Sequence, residues 1–417
     1  MKTARLIDIS DINPRLENAK SYSLDSKASF VPMAAVSEIS GSIVVEEERS
    51  LAEVFKGFTY FQNEDVLIAK ITPCFENGKI AQAKINNLLG FGSTEFHVVR
   101  ANTKFLDSRY LFHFLRQKRI RVEGARKMTG SAGQRRVPKN YIENLRIPLP
   151  PLEEQKRVAA ILDKADALRE KRRRAITKLD TLLQSVFLDM FGDPVTNPKG
   201  WRIDKLASLC EKVIDCPHST PHYSSSLTPF ACLRSSDIQN GFIEKSTTKY
   251  VNQDEYIKRI ERETPQIGDV IYCREGARFG NAARILTDEF VCLGQRMMLF
   301  RAAAQVGTAE FIWAFLNFKS TYKNILRLVG GSASPHINVG ALKSILTIIP
   351  PFRLQQNFSH VVKTMDRIRV NHIRAYGFSD SLFYTIQQRA FNGELFSNPI
   401  ENAEAVKAAM VQQGLFE

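Results

Sequence analysis

"PPLEEQKRVAAILDKADALREKRR" occupies residues 150–173, and "PPFRLQQNFSHVVKTMDRIRVNHI" occupies residues 350–373. Each begins with two prolines, carries a glutamine in its first turn and continues as an apolar stripe containing Asp-x-x-Arg. The start is displaced by 350 − 150 = 200 positions. At that offset Pro150, Pro151, Gln155, Asp166, Arg169, Arg174, Ala175, Asp180, Leu182 and Phe191 match Pro350, Pro351, Gln355, Asp366, Arg369, Arg374, Ala375, Asp380, Leu382 and Phe391 without a gap. An ungapped match of this length predicts two copies of one helix, and a repeat has to be recognised before any local motif is weighed.

In the first copy Val158, Leu162, Ala165, Leu168, Ile176, Leu179, Leu183, Val186 and Met190 recur mostly at intervals of three and four, the spacing of a seam that faces another helix. Phe358, Val362, Met365, Ile368, Tyr376, Phe383, Ile386 and Ala390 form the seam of the second. Prolines at the start and the acidic pair Glu153 and Glu154 suit a helix N-terminus, while "FGDP" from Phe191 and Asn392-Gly393 suit its end. Such a helix is roughly 58 Å long at 1.5 Å per residue. An antiparallel coiled coil is expected. Arg172 and His372 stand where the seam asks for an apolar residue, so they are expected either to form a register-fixing polar layer or to snorkel outward.

The segments ahead of each helix also echo each other. "FVPMAAVSEISGSI" from Phe30 parallels "FACLRSSDIQNGFI" from Phe230, and "FQNEDVLIAKITPCFENGKIA" from Phe61 parallels "PQIGDVIYCREGARFGNAARI" from Pro265. Each member of the second pair reads as a strand, a Gly-containing turn and a second strand. "SRYLFHFLRQ" and "AEFIWAFLNF" follow as amphipathic helices. The expected organisation is α+β: globular unit 1–149, long helix 150–193, globular unit 194–349, long helix 350–396 and a tail 397–417.

With 417 residues, 44% hydrophobic and 24% charged, the chain has material for more than one core. Its net charge of +14 suits a polyanionic partner, although a basic surface without a specialised partner is also compatible. Cys74, Cys210, Cys216, Cys232, Cys273 and Cys292 form no C-x-x-C pair, which favours reduced thiols over a disulfide framework or a zinc ribbon. No apolar run of about 18 residues and no leader-like N-terminus is present, so a soluble, cytoplasmic protein with no membrane partner is expected.

"PLPPLEEQKRVAAILDKADAL", "FGDPVTNPKGW" and "DCPHSTPHY" together resemble the specificity subunit of type I restriction-modification systems. The resemblance covers nearly the whole chain, although "PPFRLQQNF" lacks the acidic pair of "PPLEEQKRV". It implies two target-recognition domains held by the helices, each reading one half of a bipartite, asymmetric site in double-stranded DNA. It also implies two methyltransferase subunits and restriction/translocase subunits as partners. S-adenosylmethionine, ATP and Mg2+ would be used by those partners, and this chain would bind no cofactor and catalyse nothing. Pro150, Pro151, Glu154, Gln155, Arg157, Leu162 and Asp166, with Pro350, Pro351, Gln355 and Asp366, are the expected spacer and partner-binding residues.

Candidate DNA contacts lie on two loops in each half. Lys70, Thr72, Asn77 and Lys79 surround the first turn, and Arg274, Arg278 and Asn281 its counterpart, with cations suited to phosphate or guanine and amides to adenine. "GSAGQRR" offers Ser131, Gln134, Arg135 and Arg136, and "GGSASPHIN" offers Ser332, Ser334 and His336. His218 and Thr220 in "CPHSTPHY" complete the set, and the alternative throughout is a turn with solvated charges. The same stretch could imitate a zinc site through Cys210, Cys216, His218 and His222, but its spacing is irregular and no metal is expected.

A stand-alone methyltransferase or nuclease is the competing class. "IPPF" at 349–352 has the prolines and aromatic of an adenine methyltransferase motif, but Ile349 cannot accept a hydrogen bond from the target amine. There is no G-x-x-x-x-G-K-[ST] loop for ATP. Asp65, Glu76 and Lys79 could be nuclease remnants, yet their spacing fits strand-turn-strand equally well.

Overall fold

The computed structural model describes residues 2–17, 21–131, 133–329 and 335–396. By its contacts the chain forms two compact units: one takes the chain up to Arg174 and resumes at His372, and the other runs Ala175–Asn371.

In the first unit a four-stranded antiparallel sheet has the order Ser10–Ile12, Phe96–Ala101, Val66–Ala69, Ile80–Gln82. A second sheet runs Glu47–Ser50, Lys27–Val31, Gly90–Gly92, Thr59–Phe61, its middle pair parallel. Thr3–Arg5 pairs with Arg146–Pro148, the strand that leads into the first long helix. The Val66–Ala69 strand is buried at every position, so it carries a continuous apolar run instead of alternation. Helix Ser108–Leu115 packs its aromatic face on the sheet and is capped by Asp107, whose side chain accepts from Tyr110 N.

The second unit repeats this plan. Cys210–Asp215, Met297–Ala302, Val270–Cys273 and Ala282–Arg284 form the antiparallel sheet. Lys249–Tyr250, Ala231–Leu233 and Val291–Leu293 form the smaller one, again with a parallel pair. Arg202–Lys205 pairs with Leu346–Ile349, and Thr308 caps helix Ala309–Asn317.

The long helices run Leu152–Phe191 and Phe352–Asn392, 40 and 41 residues, or about 60 Å each. In the first unit Val158 and Leu162, near the start of one helix, share a core with Phe383, Ala390 and Phe391, near the end of the other. In the second unit Phe187 and Phe191 pack on Phe358, with ring centroids 5.6 and 5.3 Å apart. The pairing is antiparallel in both, as expected. Each fully buried phenyl contributes about 1.5–3 kcal/mol, so these aromatic clusters dock the helices firmly on their sheets.

Three expectations need correction. Leu168 and Ile368 are 38% and 41% exposed and lie off the seam. The polar layer is carried by Arg169 with Asp380 and by Arg369 with Asp180. Arg172 and His372 form no part of that pairing, and among the described residues Arg172 Nε and His372 Nδ1 have no hydrogen-bond partner. Finally, the turn after Val66–Ala69 contains a helical turn, Cys74–Asn77, closed by Gly78 at φ 83°.

Candidate nucleic-acid interface

In the first unit the two candidate loops are joined. Arg136 forms β-bridges with Ile71 and Thr129, Thr72 N donates to Arg135 O at 2.9 Å, and Val137 N donates to Lys70 O at 2.8 Å. The joined surface exposes Asn77, Ser131, Gln134 and Arg135. Arg135 is half exposed and its nearest acid is Glu76 at 3.8 Å, so its guanidinium is open to an incoming acceptor. Lys70 is half-buried beside it.

The other candidates here are engaged within the chain. Lys79, 17% exposed, donates to Val36 O at 3.0 Å and lies 3.6 Å from Glu38, so it braces the loop after Met33–Ala35 and is not a free phosphate contact. Arg136 is gripped by Glu95 through Nε and Nη2, at 2.9 and 2.8 Å, and this pairing holds the Glu95 carboxyl below its ordinary range. Thr72 Oγ1 donates to Glu76. Asp65 is held by Arg100 at 2.8 and 2.7 Å and does not combine with Glu76 and Lys79 into a nuclease-like site.

Under this surface His97 contacts Val137 O at 2.9 Å, and burial pushes its imidazole below the ordinary value. His113, fully buried at the helix contact, lies 2.7 Å from Asp163 and is likewise lowered by burial. A carboxylate oxygen can only accept, so the ring donates Nε2–H to Asp163. Burial opposes ionisation of Asp163, but His113 and Arg109 hold it below its usual value.

The second unit builds the equivalent surface with different chemistry. Glu275 bridges His336, Ile337 N donates to Arg274 O at 3.1 Å, and Arg274 N donates to Arg296 O at 3.0 Å. Arg274 thus takes the place of Lys70, and His336 that of Arg136. Arg274 is 5% exposed and cannot meet DNA directly. Its Nη1 lies 2.9 Å from His336 Nε2, its Nη2 3.4 Å from His218 Nδ1, and its Nε 3.2 Å from Asp215 in an ion pair without hydrogen-bond geometry. His218 also contacts Asp215 through Nε2 at 2.9 Å, so both its ring nitrogens are used internally. Thr220 accepts from Gln295 at 3.0 Å, and Asn281 donates to Arg278 O at 2.9 Å. Arg278 and His336 are exposed, while Ser332 and Ser334 lie outside the described residues.

Sequence reasoning missed Glu95, Asp215, Gln295 and Arg296. The last two follow a glycine just before Met297–Ala302, and the corresponding turn in the first unit precedes Phe96–Ala101. That shared Gly turn was the available signal.

Of the expected spacer residues, Gln155 and Gln355 are fully buried clamps and present nothing to a partner. Gln155 accepts from Asp107 N and donates to Phe105 O and Pro150 O at 2.9, 2.8 and 2.9 Å. Gln355 repeats this with Thr308 N, Val306 O and Pro350 O at 3.1, 3.1 and 3.0 Å. Leu162 is core, Asp166 pairs with Arg116 at 2.8 Å, and Asp366 pairs with Arg284 at 2.8 Å. Pro150 and Pro350 are buried. Pro151, Pro351 and Arg157 are exposed and Glu154 is half-buried, with the Arg157 guanidinium over the Phe396 ring.

Cys210 Sγ contacts Leu206 O and Cys216 Sγ accepts from Met297 N, so these thiols are tied to backbone. Among the described residues no group of three or more His, Cys, Asp or Glu is arranged to hold a metal, and no helix is long and apolar enough to cross a membrane.

A family profile described as "Type I restriction modification DNA specificity domain" matches residues 1–178 and again 198–375. The EcoAI specificity subunit of Escherichia coli is 37% identical over 186 residues, 43% of this chain and 31% of that protein. This chain therefore aligns with about a third of that relative's length. The MjaVIII specificity subunit of Methanocaldococcus jannaschii is 24% identical over 67% of this chain and 68% of its own. Among solved structures, a type I restriction-modification S subunit from M. genitalium aligns with TM-score 0.53 at 13% identity, covering 94% of this chain and 96% of its own. A chain from a study of complex assembly in the type I R-M system aligns with TM-score 0.52 at 19% identity, covering 94% and 98%. At these identities the structural likeness speaks for the fold.

Proposed function

The chain belongs to the family of type I restriction modification DNA specificity domains, and from that premise we propose that it is the DNA-reading subunit of a restriction-modification complex. Each unit reads one half of a bipartite site, and the two halves differ. The chain itself performs no covalent chemistry. Two methyltransferase subunits and the restriction/translocase subunits join it and bring S-adenosylmethionine, ATP and Mg2+, and the assembly works in the cytoplasm.

The observation that carries this reading is a single fold written twice with unlike side chains at equivalent loop positions: Lys70 and Arg136 in one copy, Arg274 and His336 in the other. A duplicated scaffold with diverged loops suits recognition of two different sequences, because base identity is read by side chains and register by the framework. The net charge of +14 suits a polyanion.

Purified with a type I modification subunit, the chain is expected to direct adenine methylation at one bipartite motif with dissimilar halves, mapped by sequencing of methylated bases. Alone it is expected to leave DNA unmodified. Methylation or cleavage by the single chain would favour the stand-alone enzyme reading instead.

A further inference from the structure

Arg274 was expected to touch DNA, and burial denies it that role, yet it lies directly beneath the exposed His336. A guanidinium has five donors and no acceptor. An imidazole nitrogen 2.9 Å from Arg274 Nη1 must therefore present its lone pair, which makes His336 Nε2 the acceptor and leaves Nδ1 to carry the proton. The same rule makes His218 Nδ1 an acceptor of Arg274 Nη2, so His218 carries its proton on Nε2, which lies 2.9 Å from Asp215. His218 is thereby fully used. His336 is not: among the described residues nothing takes its Nδ1–H, and its backbone is fixed by the bridge to Glu275 and by Ile337 N donating to Arg274 O. Asp215 holds the guanidinium in place through its ion pair at 3.2 Å.

We propose that Arg274 is a positioning residue that fixes the tautomer and orientation of His336, so that Nδ1–H becomes a dedicated donor to a base-edge acceptor in the half-site read by the second unit. This rests on the reading of that unit as a DNA reader. In the first unit the equivalent position is Arg136, a cation already gripped by Glu95. The same place in the fold thus carries different chemistry in the two units: a guanidinium already committed to Glu95 in one, a single-proton donor left open in the other. Purine N7, guanine O6 and thymine O4 are the acceptors such a donor meets in the major groove.

The test uses the full chain and a randomised duplex pool, with bound sequences read out position by position. His336→Ala is expected to reduce discrimination at one position of one half-site by about threefold to tenfold, the value of one neutral hydrogen bond, with the other half-site unchanged. His336→Asn keeps an amide N–H at the δ position and is expected to retain the preference. His336→Gln moves the amide to the ε position and is expected to lose it. Arg274→Met is expected to relax the same position as His336→Ala, but to have no further effect in a His336→Asn background, since an amide needs no tautomer fixed. If Arg274→Met does not fold, the three His336 variants carry the test alone. Uniform weakening across all sequences after His336→Ala, an unchanged profile, or His336→Asn behaving like His336→Ala overturns the proposal. A wild-type pool that yields no bipartite motif instead removes the functional reading on which the proposal rests.

Discussion

Arg169 Nη2 and Asp380 Oδ1 meet at 2.7 Å, and the 200-residue repeat maps this pair onto Arg369 and Asp180, which also meet. One contact is written twice with the helices exchanging roles. Asp166 contacts Arg169 at 3.1 Å, and the Arg169 guanidinium lies 4.4 Å from the centre of the Phe383 ring. A one-residue slip of either helix would separate these charges in a partly desolvated seam. A double-mutant cycle of Arg169→Ala and Asp380→Ala is therefore expected to give a coupling of about 1–2 kcal/mol in chemical denaturation. Purely additive effects would remove the register role.

Gln155 and Gln355 each satisfy one buried N–H and two carbonyls. Replacing either by Ala is expected to cost about 2–4 kcal/mol, because several buried polar groups lose partners together. Glu is expected to be no better, since an ionised carboxylate cannot donate to Phe105 O or Pro150 O. Denaturation midpoints of Gln155→Ala and of a substitution at the exposed Pro151 should differ clearly, and equal small losses would argue against the clamp.

Arg135 and Arg136 are neighbours with different tasks. Arg135→Ala is expected to lower DNA affinity by about 1–3 kcal/mol and relax one base position if it reads a base, or to weaken all sequences evenly with a shallower salt slope if it neutralises phosphate. Arg136→Ala frees Glu95 and is expected to disturb the joined loops, visible as faster amide exchange around residues 70–72 and 135–137. Thermal melts and binding titrations on both variants separate the two roles.

The buried histidines give the first unit an acid limit. His97 and His113 have folded values below the ordinary 6.5 because burial disfavours the imidazolium. Between the folded and unfolded values the unfolded chain binds more protons, so stability rises with pH there. It is expected to be fully present above about pH 6.5 and to fall as the solution is acidified below that. Carboxylates titrate lower, so urea midpoints between pH 7.5 and 5.5 report mainly on histidine. His113→Asn should flatten that dependence.

Inserting four helical residues into both long helices, near Arg174 and near His372, lengthens each by about 6 Å. With one base pair per 3.4 Å of duplex, the preferred gap between half-sites is expected to grow by about two base pairs. A methylation motif with an unchanged gap would show that helix length does not set it.

The long helices were legible because proline pairs, seam periodicity and an ungapped repeat agreed. The polar layer was misplaced by three residues. Periodicity exposes a missing apolar residue at Arg172 but cannot show what stands opposite, although Arg169, Asp180, Arg369 and Asp380 were all among the matched repeat positions. The candidate loops were legible as Gly-containing turns. Which of their cations were free was not, because Glu95, Asp215 and Val36 O come from strands and loops far away in sequence. Lys79, Arg136 and Arg274 read alike in one dimension and differ only once those partners arrive.

Thr3–Arg5 lies alongside Arg146–Pro148, and Arg202–Lys205 alongside Leu346–Ile349. Each globular module therefore begins and finishes on the same two-stranded ribbon, at the threshold of a long helix. A module closed in this way is a cassette. Everything between its paired ends can be exchanged for a diverged relative while the helices and the contacts that set their register pass through unchanged.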